Sequence, residues 1–185
     1  MKSPRGFAAA IVFLSALPIA ALCEAVLPGG GGEIAIHVML ALGAALMVPA
    51  AFDFQTPRWI AWTGSTAATF LAVTFLLQGV STWTKNKSMM HLAYQVLGQR
   101  LEALAGNLFF AWCVAVLFIE SRGATKVVGA VALALAVGVR GYAFYLSSLG
   151  RSLGAEAPAL QVLELLPFVW LVFEAKKKRP RESIG

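Results

Sequence analysis

The sequence predicts an all-α fold, a polytopic integral membrane helix bundle of about six transmembrane helices forming a single membrane domain over residues 1–185. Three observations predict it. Hydrophobic residues make up 59% of the chain and charged residues only 13%, whereas a soluble domain carries about 25% charged residues. The apolar residues gather into six runs, each of a length that crosses, or nearly crosses, roughly 30 Å of hydrocarbon. The basic residues alternate in density from one inter-run segment to the next. Lys2, Arg5, Arg58, Arg122, Lys126, Lys176, Lys177, Lys178, Arg179 and Arg181 fall on one side, against Lys85, Lys87, Arg151 and Arg100 on the other. That asymmetry is the positive-inside signature, so both termini are expected in the cytoplasm and the bundle in the cell (inner) membrane. The net charge of +6 then reports orientation, and no nucleic-acid partner is expected.

The first run, residues 7–27, follows the basic start MKSPRGF and contains Pro18, a kink site. A cleaved signal peptide is the competing reading, because small residues surround Cys23 to Ala25. The loop PGGGGE that follows lacks phosphate-loop spacing. The second run, residues 34–52, carries small residues Ala41, Ala44 and Ala45, suited to close helix contact. The third, residues 59–80, has Thr63, Thr66, Thr74 and Ser81 on a loose stripe with Gln78 nearby, and Trp59 and Trp83 at its ends. Such Thr and Ser side chains usually bond their own helix carbonyls, and such Trp residues belong at the membrane interface.

The fourth run, residues 103–119, has a helical extension reaching back to Lys87. With α-helical phase, Lys87, His91, Gln95, Gly98 and Glu102 share one face of it. One helix from Lys87 to Glu120 would be about 50 Å long, so either its start projects outward or an interfacial helix precedes the span. The fifth run, residues 127–149, offers two faces. Ala130, Ala134 and Gly138 form a small-residue ridge for tight packing, while Gly129, Leu133, Ala136, Arg140 and Ser147 lie on another face. The sixth run, residues 157–173, contains Glu164 and Pro167 and ends in KKKRPRE, a cytoplasmic anchor.

The candidate ligand or proton site is the set Arg140, Glu164, Glu102, Gln95, His91, His37 and Glu24, all placed toward the outer half of the bundle. Ionisable groups inside a bilayer are expensive and face the bundle interior or a wet cavity. Arg140 is expected to meet Glu164 or Glu102, since helical rise puts the three about 21, 16 and 27 Å above the inner ends of their spans. Gly138 and Gly141 flank it and would admit a neighbouring helix. His37 and His91, the only histidines, could serve as axial ligands of a b-type haem or, with Glu33 or Glu102, as metal ligands. Neither a second histidine pair nor an HExxH motif accompanies them, so no metal or haem cofactor is predicted. Cys23 and Cys113 fall at different depths and suggest no disulfide.

No catalytic motif is present, and catalysis is not expected. The leading functional expectation is small-solute or proton binding and transport through the polar cluster. The alternatives are a noncatalytic membrane subunit or scaffold whose charged pairs lock its helices, and a b-type haem or metal-dependent membrane enzyme. The expected partners are the lipid bilayer and, through helix–helix association, a second copy or another membrane protein.

Overall fold

A computed structural model describes residues 2–149 and 163–177, all helix and connecting turn. Helix α1 spans Pro4–Val26, α2 Gly31–Ala50, α3 Arg58–Thr84, α4 Lys87–Met90, α5 Ala103–Glu120, α6 Ala124–Ser148 and α7 Leu166–Lys176, with a π-helical segment, His91–Glu102, between α4 and α5. Five of these, α1, α2, α3, α5 and α6, are long and apolar enough to cross a membrane. Of the sixth predicted run, residues 157–162 lie outside the described residues. The described remainder of its helix ends in the short α7.

The helices close a ring. α1 packs on α2, α2 on α3, α3 on α5, α5 on α6, α6 on α7, and α7 returns to α1. Large apolar side chains such as Leu22, Leu76, Phe118 and Val131 remain exposed around its outside. On a soluble monomer such a surface would be a liability; against hydrocarbon it is what a membrane bundle requires. Trp59 and Trp83 stand exposed at opposite ends of α3, in keeping with an interfacial placement. Below, "near end" means the end holding Lys2 and Lys177, and "far end" the one holding the α1–α2 turn.

Local chemistry explains where the helices start and stop. Ser3 caps α1 by accepting the Gly6 N–H at 2.8 Å, with Pro4 in the first turn, where its missing N–H costs nothing. Asn86 caps α4 by accepting from Ser88 and Met89. Thr63, Thr69, Ser81 and Thr84 all bond carbonyls of α3 itself, the ordinary use of hydroxyls on a membrane helix.

Two expectations about helix faces need correction. The ridge of Ala130, Ala134 and Gly138 is exposed, and α6 packs through Gly129, Ala132, Leu133, Ala136 and Val139 instead. The reason is steric: a Cβ on Gly129 would lie 2.6 Å from the Trp170 ring and 2.5 Å from Leu117, so this glycine admits α7 and α5. The shared face of Lys87, His91, Gln95, Gly98 and Glu102 assumed α-helical phase throughout. The π-helical turn from His91 to Glu102 closes i→i+5 bonds, takes more residues per turn, and breaks that register.

The core lies between α1, α2, α3, α5 and α7. Trp112 is its centre, fully buried, stacked on Phe109 at 5.5 Å and set edge-on to Phe54 at 5.5 Å. α3 can approach it only because position 64 is glycine, where a Cβ would stand 2.4 Å from the indole ring.

Candidate functional site

A cavity of about 520 Å³ opens between α1, α2, α3, α5 and the start of α7. Its wall is mostly hydrocarbon, including Phe13, Leu40, Leu71, Phe75, Phe109 and Phe168, and among the described residues three ionisable side chains enter it: Glu102, Arg140 and Glu164. Pro167 accounts for the position of Glu164. Proline has no N–H to continue a helix backwards, so the chain turns at Leu165 before α7 begins, and Glu164 sits at that break.

Arg140 reaches across from α6. Its Nε lies 3.8 Å from Glu164 Oε1, with both side chains 40% exposed, and its Nη1 donates to Asn107 Oδ1 at 3.3 Å. The guanidinium carbon stands 5.3 Å from the Phe110 ring centroid, a cation–π distance. Gly106 makes room for it, since a Cβ there would lie 3.1 Å from Nη1. Gly138 and Gly141, expected to serve that purpose, face nothing within 4 Å; the close approach comes from α5 and not from the arginine's own helix. Glu102 Oε2 accepts from Gln78 Nε2 at 2.9 Å, and Gln78 is buried on α3.

The remaining candidates are placed elsewhere. Glu24 folds over the α1–α2 turn and accepts the N–H groups of Gly29 at 2.9 Å and Gly32 at 2.8 Å. Gly29 and Gly30 take φ of 97° and 128° there, which only glycine tolerates easily. His37 Nδ1 is 2.8 Å from the Glu33 carbonyl, and its ring meets Tyr94 edge-on at 6.0 Å. Tyr94 donates to Glu33 Oε1 at 2.9 Å and lies 2.9 Å from Thr82 Oγ1. Burial raises the phenol pKa above its ordinary value, Thr82 opposes that rise and Glu33 reinforces it, so the hydroxyl remains the donor at neutral pH. His91 is exposed. The side chain of Gln95 lies outside the described residues. None of Glu24, His37 and His91 lines the cavity, and among the described residues no group of three or more His, Cys, Asp and Glu is placed to hold a metal ion. Cys23 and Cys113 are both free thiols.

A second charged group, at the near end, escaped the sequence reading. Lys2 is buried and pairs with both Glu120 and Glu174, 3.1 Å from the latter. Glu174, fully buried, also accepts from Ser121 Oγ at 2.7 Å and Lys177 Nζ at 2.8 Å. Trp170 Nε1 in turn donates to Ser121 Oγ at 3.1 Å. The backbone completes the clasp: Lys2 and Ser3 both donate their N–H to the Ala175 carbonyl, and Ser3 Oγ donates to Asp53 Oδ2 at 2.8 Å. The signal for it was present. Glu120 and Glu174 each end an apolar run on the same side as Lys2, and a carboxylate at the end of a span is costly without a cation.

No protein-family model, curated protein or solved structure matches this chain.

Proposed function

We propose that this protein binds a small amphiphilic solute inside the membrane and carries it, with or without a proton, through the bundle. The observation that supports this reading is the convergence of Arg140, Glu164 and Glu102 on one largely apolar cavity of about 520 Å³. Small-molecule sites have volumes of about 300–1,000 Å³ with mainly apolar walls and a few fixed polar groups. Structural ion pairs alone would not need an adjoining space. The basic residues of the near end support a cytoplasmic setting for that end under the positive-inside rule, and on that reading the cavity belongs to the outer half of the bundle.

The test uses the purified full chain and a panel of anionic, cationic and neutral amphiphiles. At least one should raise the unfolding temperature, and Ala103→Trp, which fills the cavity from an exposed wall position, should abolish that rise. A panel that treats wild type and Ala103→Trp alike would remove the cavity as a binding site. The near-end clasp favours a second reading, a noncatalytic scaffold whose buried ion pairs lock its helices, and that outcome would leave it standing. A reporter after Gly185 should report the cytoplasm and another within Gly30 to Gly32 the outer compartment; the same side for both would sink the six-span arrangement.

A further inference from the structure

We infer that the cavity selects lipophilic cations, with the Glu102 carboxylate as the charge that receives them; this names the substrate class of the site above and rests on that reading. The three charges of the cavity wall are unequally compensated. Arg140 is already met by Glu164 at 3.8 Å, Asn107 at 3.3 Å and the Phe110 ring at 5.3 Å. Glu102 is met by a neutral amide, Gln78, at 2.9 Å, and among the described residues no cation lies within ion-pairing distance of it. Among the described residues, the cavity wall therefore holds one carboxylate in excess. The Gln78 bond orients that carboxylate without neutralising it, because an amide donates a hydrogen bond but carries no charge.

The walls call for an apolar body on the guest. Phe13, Phe168 and Phe109 form a stack, with ring centroids 4.1 and 6.1 Å apart, and all three line the cavity. Stacked on one another and on Trp112, these rings present apolar surface to a guest, and the sign of its charge is set by Glu102. A neutral apolar guest would strip solvent from Glu102 and leave its charge unmatched, a costly state in a low-dielectric setting. An anion would add to the excess. An organic ammonium or phosphonium fits both the apolar walls and the surplus charge.

The probes are tetraphenylphosphonium and tetraphenylborate, ions of similar shape and opposite sign, measured by equilibrium dialysis against the purified full chain in detergent. Wild type should bind the phosphonium saturably, with an affinity more than about ten times that for the borate. Glu102→Gln should weaken phosphonium binding by at least about tenfold, the scale of losing one partly desolvated charge partner, while Glu102→Asp retains most of it. Unchanged phosphonium affinity in Glu102→Gln, together with loss in Ala103→Trp, would overturn the role of Glu102 but keep the cavity. Binding of both ions untouched by Ala103→Trp would overturn the cavity reading and this inference with it. Should Glu102→Gln fail to fold, the wild-type ratio of the two affinities decides: above about ten supports the inference, and any smaller value overturns it.

Discussion

The near-end clasp and the cavity wall are built from the same residue types, Lys or Arg against Glu, yet the fold treats them oppositely. In the clasp, Lys2, Glu120 and Glu174 have side chains 8%, 3% and 0% exposed, and Glu174 is enclosed by two lysines and a hydroxyl. In the cavity, Arg140 and Glu164 stand 3.8 Å apart with 40% of each side chain exposed, and Glu102 has no cationic partner among the described residues. Enclosed charges that each meet an opposite charge fix a structure, because any rearrangement strands a charge without solvent. Half-open charges beside an empty volume retain bonding capacity for something else. The difference lies in burial and saturation, not in residue identity, and it separates the part of the molecule that holds it shut from the part that has room for a guest.

The sharpest way to break this comparison is to remove the most enclosed carboxylate. Glu174→Leu should destabilise the protein by about 3–5 kcal/mol, since it takes one of two carboxylates from the buried Lys2 and the acceptor from the buried Ser121 hydroxyl. Reversible unfolding in mixed micelles measures it. Adding Lys2→Met should deepen the loss, since it strands the buried Glu120 without a cation, and strict additivity of the two losses would mean the clasp is not a coupled unit.

A smaller effect tests the packing that keeps the near half closed. Gly64→Val forces side-chain atoms toward Trp112, where even a Cβ would stand 2.4 Å away, and should cost about 1–3 kcal/mol through overpacking. Trp112 emission should shift as its surroundings loosen. An unchanged spectrum and stability would show that α3 and α5 are not in tight contact there.

The cavity pair should prove weaker still. A double-mutant cycle on Arg140→Leu and Glu164→Leu should give a coupling of about 0.5–1 kcal/mol, as for a half-open ion pair. The parallel cycle of Arg140→Leu with Glu102→Leu should be close to additive. A cavity coupling as large as that of the clasp would erase the distinction between the two regions. The least effect is expected at the far end, where Tyr94→Phe removes the bonds to Glu33 and Thr82 and should cost below about 1 kcal/mol, because water can replace the exposed bond to Glu33 and Thr82 keeps a contact with Glu33.

Much of this architecture was legible residue by residue. Trp59 and Trp83 mark span ends, and Arg140 could be assigned a carboxylate partner from depth alone, because helical rise converts residue number into height. The choice of Glu164 over Glu102 was not legible, nor was the buried face of α6. Both depend on how each helix is rotated about its axis. In a span apolar on all sides, hydropathy carries little information about rotation; what sets it here is where a ring such as Trp170 finds a glycine to lie against.

By itself the sequence determined the class of the protein, the approximate ends of five spans and the segregation of basic residues to one end, since each of these follows from local composition. Tertiary structure alone decided which charges meet. The ring of helices brings α7 back to α1 and joins Lys2 to Glu174, 172 residues away, and the π-helical turn before α5 resets the phase in which Glu102 faces the cavity. A one-dimensional pattern records how deep a charge lies; its partner is set by the closure of the ring, through contacts that no local property of the chain encodes.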